Sequence, residues 1–368
     1  SLEEGSMVLN NVAETGDGGG LYSSSSTKLV LSAVSFEENT AVDMEGSHVF
    51  GRGGAIAFSL PIEFRLENVV IRKNKAVYGG GVYSPLDSVV TIRNSILDSN
   101  IASMSGGGLY TNTSSSFKAY DSIVRNNSAL TEDGGGAYLM TWLNYSSNAS
   151  ATALFSNLSF VDNVAVNGVG GGLYRLGEVY AEVRDSSFWG NSGSEGGGLY
   201  LANGSSTFTN VSMVSNYGVG SGGGLKITGN ETLVMDSSLL RLNIAGESGG
   251  GLYLGSEVQV QTSDMLYSEN VANGSTGGGG AVYGEGSVMF SSEGDVFEGN
   301  QAKQGSGGGL YVAGVSQVTC SSCVLQNNTA YRHGGGMYTE SWDVSLEEGS
   351  MFLNLSLIHI SEPTRQAT

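Results

Sequence analysis

The chain has 368 residues, among them 58 Gly, 3 Pro and 2 Cys, with a formal net charge of −19. Glycine at roughly one residue in six, without proline or a Gly-X-Y period, excludes collagen. A 39% hydrophobic content with 17 Tyr argues against disorder, and 16 Lys+Arg against 35 Asp+Glu argues against nucleic acid as a partner.

Length alone predicts two or three globular domains. No run of about 18 apolar residues predicts a membrane span. Residue 1 is not Met and no signal-peptide pattern follows it, so the chain is expected to begin inside a longer mature protein.

A repeat replaces the multi-domain expectation. Gly-Gly-Gly or Gly-Gly-Ala followed by an apolar residue occurs twelve times, with third positions at Gly20, Ala55, Gly81, Gly108, Gly136, Gly172, Gly198, Gly224, Gly251, Ala281, Gly309 and Gly336. An Asn-x-Ala or Asn-x-Gly mark accompanies each at Asn11, Asn39, Asn74, Asn100, Asn127, Asn163, Asn191, Asn216, Asn243, Asn270, Asn300 and Asn328. From the third Gly/Ala to the next Asn the interval is 19 residues in nine of eleven cases, so length variation concentrates in the turn after the Asn.

The residue after the third Gly/Ala is always apolar, and so is the residue three before each Asn, from Val8 and Phe36 to Phe297 and Leu325. Between them lie alternating runs such as Val89 to Arg93 and Glu257 to Gln261. Period-2 alternation bounded by Gly, Ser and Asn predicts about three short half-buried strands per unit and no helix. The expected fold is all-β: a right-handed parallel β-helix of about twelve coils. Stacking about 4.8 Å apart makes it a rod roughly 55 to 60 Å long, in which each column becomes a ladder of like side chains. The eleven asparagines from Asn39 to Asn328 are read as a buried structural ladder that satisfies turn backbone groups.

Gly53 to Ile56 and Gly279 to Val282, paired with Phe-x-x-Asn at Phe36–Asn39, Phe160–Asn163, Phe188–Asn191 and Phe297–Asn300, resemble the tetrapeptide signature of polymorphic outer membrane proteins. The resemblance extends over residues 1–354 and implies a surface-exposed β-helical passenger linked with adhesion to host cells. In that family an autotransporter barrel follows, and this sequence contains none. The resemblance implies a location at the cell surface, in the outer membrane or outside the cell.

Ser345 to Asn354 nearly repeat Ser1 to Asn10, yet Leu355 stands where the 19-residue rule from Gly336 expects Asn. From there to Thr368 the sequence looks like a translated sequencing adapter. Residues 1–354 are therefore expected to be one repeat domain cut at both ends, and 355–368 not to be native. Open sheet edges at such ends predict self-association.

Catalysis on a β-helix needs clustered carboxylates, often with a nearby base. Asn68, Asn94, Asp121, Asn157, Asp185, Asn210 and Asp264 recur six residues before the ladder Asn, and their free interchange reads as a turn ladder rather than a metal surface. Three histidines and the Cys320–Cys323 pair are too few and wrongly spaced for a zinc site, and no glycine run continues as a phosphate loop. No enzyme, cofactor or metal is expected; the alternative is a carbohydrate-active β-helix enzyme of polysaccharide lyase or hydrolase type whose active coil lies outside this sequence or is unrecognised within it. Cys320 and Cys323 are expected to form a local disulfide.

Tyrosine recurs two residues after the third Gly/Ala, and Tyr83, Tyr110, Tyr138, Tyr174, Tyr200, Tyr253, Tyr283 and Tyr311 form a candidate binding ladder. One reading is a stacked aromatic column that stabilises the sheet; the other is a flat strip for sugars or a protein. Lys226 stands in the same column and is expected to face solvent. Long turns at Val42 to Arg52 and Met140 to Ala151 are candidate recognition loops, the second carrying Trp142 and Tyr145. The partner expected is a cell-surface glycan or protein. Ten Asn-x-Ser/Thr sequons precede residue 354, about half of which chance would supply in so Ser-rich a chain.

Overall fold

A computed structural model describes residues 4–24, 28–42, 51–85, 87–112, 116–141, 151–275, 277–314, 316–341 and 343–357. It is a parallel β-helix of about twelve turns, and the described residues contain no helix. Every strand pair is parallel and joins one coil to the next, as in Leu97 opposite Ile71 on one side and Val124 on the other. The repeat columns are thus the physical ladders.

Each coil carries four strand segments rather than the expected three. In one coil these are Val82–Ser84, Val89–Arg93, Ile96–Asp98 and Ile101–Ala102. The fourth, two residues long and just past the Asn, is too short to show period-2 alternation in sequence. Its thirteen copies form a separate sheet, while the other segments join into one sheet of 32 strands. Where the turn after the Gly corner is tight, two segments fuse into one long strand, as in Leu173–Arg184 and Leu225–Asp236.

Burial alternates along the strands as the period requires: Val258–Ser263 reads buried, exposed, buried, exposed, buried. The inward side chains make one continuous core from Leu31 to Leu325. Burying a Leu or Phe contributes about 1.5 to 3 kcal/mol, so the core supplies most of the stabilisation.

The Gly corner shows why two glycines are fixed and the third is not. The first of the three has positive φ in every coil, for example 71° at Gly106. A Cβ on the second would press on backbone, lying 2.2 Å from the Gly135 carbonyl oxygen if built on Gly107. The third has negative φ, and the nearest backbone oxygen to a Cβ on Gly108 is 2.7 Å away. Ala55 and Ala281 fill that third position, both fully buried. The signature Gly-Gly-[Gly/Ala] is this packing gradient.

Leu355 fills the thirteenth ladder position, and Ser356–Leu357 still pair with Thr329–Ala330. A leucine has no amide to continue the ladder, which ends at Asn328 among the described residues.

Candidate binding surface

The interior is closed by the asparagines. The backbone N–H and Nδ2 of each Asn both donate to Oδ1 of the next, as Asn191 does to Asn216 at 3.0 Å in each bond. The remaining Nδ2 proton reaches back to the carbonyl of the apolar residue three before the preceding Asn: Asn216 Nδ2 lies 2.9 Å from the Phe188 oxygen. The pattern runs from Asn39 through Asn74, Asn100, Asn127, Asn163, Asn191, Asn216, Asn243, Asn270 and Asn300 to Asn328, and Asn11 joins it as a donor. A carboxamide carries two donor protons and an oxygen with two lone pairs, where a hydroxyl has only one proton, so each internal rung is saturated.

The Asx column lies at a corner. Asn68, Asn94, Asp121, Asn157, Asp185, Asn210 and Asp264 all have φ between 46° and 55°, a conformation Asn and Asp tolerate better than other non-glycine residues. Neighbours within it bond laterally, with Asn157 Nδ2 donating to Asp121 at 2.9 Å and Asn210 Nδ2 to Asp185 at 2.8 Å.

The tyrosines form two stacks. Tyr83, Tyr110, Tyr138, Tyr174 and Tyr200 follow one another with ring centroids 5.3, 4.7, 5.0 and 5.5 Å apart. Tyr253, Tyr283, Tyr311 and Tyr338 make the second, at 5.3, 4.9 and 5.0 Å. Ring faces are turned to one another, which leaves mainly edges for any outside contact. Burial pushes the phenols of Tyr110, Tyr138, Tyr174, Tyr253 and Tyr311 well above their ordinary value. Tyr283 is pushed up to about 12, by burial first and then by Glu285.

Cations stand where the column lacks a ring. Arg52, paired with Asp17, lies 4.9 Å from the Tyr83 centroid beside the Ala57 gap. Lys226 does not face solvent as expected: its side chain is 9% exposed, with Nζ 2.8 Å from Glu195 and 4.3 Å from the Tyr253 centroid. The turn carrying Glu195 folds over the column, so this outward position is covered. A carboxylate and a ring face replace the lost hydration.

Two polar clusters inside the core escaped the sequence reading. Arg175 and Glu231, both fully buried, form an ion pair, and Ser206 Oγ lies 3.0 Å from Arg175 Nη2 and 2.9 Å from Glu231 Oε1. Arg175 Nη1 also donates to the carbonyls of Gly177 and Asn203 at 3.0 and 2.9 Å. Burial pushes the Glu231 carboxyl up, opposed by Arg175. Farther along, buried Asp295 accepts from Thr262 Oγ1 at 2.5 Å, Ser292 Oγ at 2.6 Å and the Met265 N–H at 2.9 Å. Burial raises this carboxyl too, against those three bonds. Cys320 and Cys323 are joined in a disulfide beside Ser292, both in the core. Only Arg175 left a clear signal, a break in an inward apolar column where it stands in register with Leu139 and Leu201; the column of Asp295 already mixes Ser with apolar residues.

The outer surface changes character along the rod. Two residues before the ladder Asn, the early coils alternate charge: Glu37, Arg72, Asp98 and Arg125, with Arg72–Glu37 and Arg125–Asp98 both at 2.9 Å. The next three coils place Val161, Trp189 and Val214 in that column. Just past the Asn, Val164, Ser192, Tyr217 and Ile244 follow in register. Trp189 is 48% exposed, Tyr217 42% and Val219 58%, and Val166, Leu242 and Ile244 are exposed beside them. Interrupted at Ser192, these residues line both sides of the Asn corner over four successive coils as an apolar ridge. A shallow groove also lies farther along the rod, lined by Gln259, Gln261, Met289, Ser291, Gln317 and Thr319.

Trp142 and Tyr145, and most of the Val42 to Arg52 turn, lie outside the described residues. Among the described residues no three His, Cys, Asp or Glu side chains converge as a metal-ligand set, and no helix is long and apolar enough to cross a membrane. No family model, curated protein or solved structure matches the chain.

Proposed function

We propose that this protein is a surface-displayed or secreted adhesive rod, in which a closed β-helix serves as a rigid carrier for contact residues. The observation that carries this reading is the apolar ridge of Trp189, Tyr217, Val219 and their neighbours, on a chain of net charge −19. Exposed contiguous apolar surface on a soluble fold marks an interaction site more often than an accident of composition. The interior is compatible with a carrier role: the Asn ladder saturates its own internal amides, and Arg175 and Glu231 pair with each other in the core. A buried disulfide fits an oxidising compartment such as the cell exterior. The acidic surface keeps long rods apart in solution and leaves the ridge as the adhesive element.

Beads coated with the full chain test this. Adhesion to cells or extracellular matrix should exceed that of beads carrying an unrelated acidic protein of equal charge density. Equal adhesion of both would overturn the proposal.

A further inference from the structure

The ridge has a definite shape and a charged rim. From Val161 to Ile244 it crosses four coils, a length of roughly 14 Å at about 4.8 Å per step. That equals about ten residues of α-helix at 1.5 Å each. The surface is convex, because the residues before and after each ladder Asn project from two sheets that meet at the corner.

Carboxylates surround and penetrate it. Asp162 sits at the corner between Val161 and Val164, with φ of 52°. Gly190 follows Trp189 and has no side chain; a Cβ there would lie 2.2 Å from Asp162 Oδ1, so the carboxylate fills that notch. Glu195 and Glu247 flank Val219: the Glu247 N–H bonds the Gly220 carbonyl, and Glu195 reaches toward Gly220 from the other side. Glu269 lies past Leu242. The cations nearby are already engaged, Lys226 with Glu195 at 2.8 Å and Arg241 with Glu269 at 2.9 Å. Asp162 and Glu247 have no cationic partner among the described residues.

An apolar centre with an uncompensated acidic rim has a complementary shape in chemistry. Resting on the adhesive reading above, we infer that the ridge docks a cationic amphipathic segment of another protein, whose apolar face covers Trp189, Tyr217 and Ile244 and whose Lys or Arg side chains meet Asp162 and Glu247. A second copy of this chain would bring the same negative rim and be repelled. A neutral glycan would leave the rim carboxylates unmatched.

The test uses the full chain with Trp142→Phe and Trp342→Phe, so that Trp189 is the only indole. The probe is a synthetic 14-residue Leu/Lys peptide with leucines at helical spacing. It should shift Trp189 emission to the blue in a saturable titration, more weakly as NaCl rises from 0.05 to 0.5 M. Tyr217→Ser with Ile244→Ser should weaken binding at least tenfold while leaving the circular dichroism unchanged. Equal binding of a peptide with the same composition and no apolar face would overturn the inference, because a −19 rod would then be attracting charge alone. So would equal binding of a Leu/Glu peptide, a blue shift with neutral oligosaccharides but not the peptide, or self-association abolished by the double variant. The two proposals fail separately: a Tyr217→Ser/Ile244→Ser rod that coats beads and adheres undiminished refutes the ridge and leaves adhesion standing. Peptide docking without adhesion to any surface does the reverse.

Discussion

Replacing Asn216 by Ala probes what holds the coils in register. Asn216 Oδ1 accepts from the backbone N–H and Nδ2 of Asn191, and its own Nδ2 donates to the Phe188 carbonyl and to Asn243 Oδ1. The substitution orphans two buried donors, the Asn191 N–H and one Asn191 Nδ2 proton, and removes one of two donors from the Phe188 carbonyl, which stays paired in the parallel strand ladder. Asn243 Oδ1 keeps the bond from the backbone N–H of residue 216. At about 1 to 3 kcal/mol per orphaned group, discounted for local relaxation, the loss is about 2 to 4 kcal/mol. Asn11→Ala removes one donor at the rod's end and orphans nothing buried, so it costs about 1 kcal/mol or less. Long repeat arrays depart from two-state unfolding, so hydrogen exchange followed by peptide in rising urea is the suitable assay. Protection should fall in the two coils around residue 216 before it falls elsewhere. Asn216→Asp should be worse than Ala at pH 7, because a carboxylate then faces two acceptors, and should recover in part on acidification. If Asn216→Ala and Asn11→Ala differ by less than about 1 kcal/mol, the ladder is not what fixes the register.

Removing one member of the core ion pair, by Arg175→Met or Glu231→Leu, should cost about 3 to 5 kcal/mol in denaturant midpoints, while the double substitution should lie near the wild type. Asp295→Asn should flatten part of the pH dependence of melting. Because burial raises this carboxyl in the folded chain, the wild type gains stability relative to the variant as pH falls from 7 through the raised value, fully so below the unfolded value, and loses it as pH rises again. Gly197→Ala should abolish folding or the local coil, since its Cβ would lie 2.3 Å from the Tyr217 carbonyl oxygen. Gly198→Ala, at the position where Ala55 and Ala281 occur naturally, should shift the melting temperature by only a few degrees; an equal loss from both would refute the packing gradient.

The fold was legible because stacking turns each repeat position into a column, and a column constrains residue type more tightly than any single contact. Asn100 and Asn127 could be assigned to one ladder from spacing alone, since the position calls for two donor protons and a twofold acceptor on one short side chain. The fourth strand segment was not legible, because two residues such as Ile101–Ala102 cannot display a period. Lys226 was misplaced for a related reason. Alternation correctly set it on the outward side, but outward is not exposed where the turn carrying Glu195 lies across the strand.

The same distinction decides where a binding surface can form. The tyrosines are outward in the strand pattern, yet their stacked rings cover one another's faces and leave mainly edges. The ridge is outward and uncovered: Trp189, Tyr217 and Val219 are all exposed. Trp189 was invisible as a motif because it occurs once, whereas the search for repeats rewards what recurs. It becomes visible when the outward column is read along the rod: Glu37, Arg72, Asp98, Arg125, then Val161, Trp189, Val214, then Arg241. In this solenoid, structure is written in the positions that repeat; on the adhesive reading proposed above, recognition lies in the coils where an exposed column stops repeating.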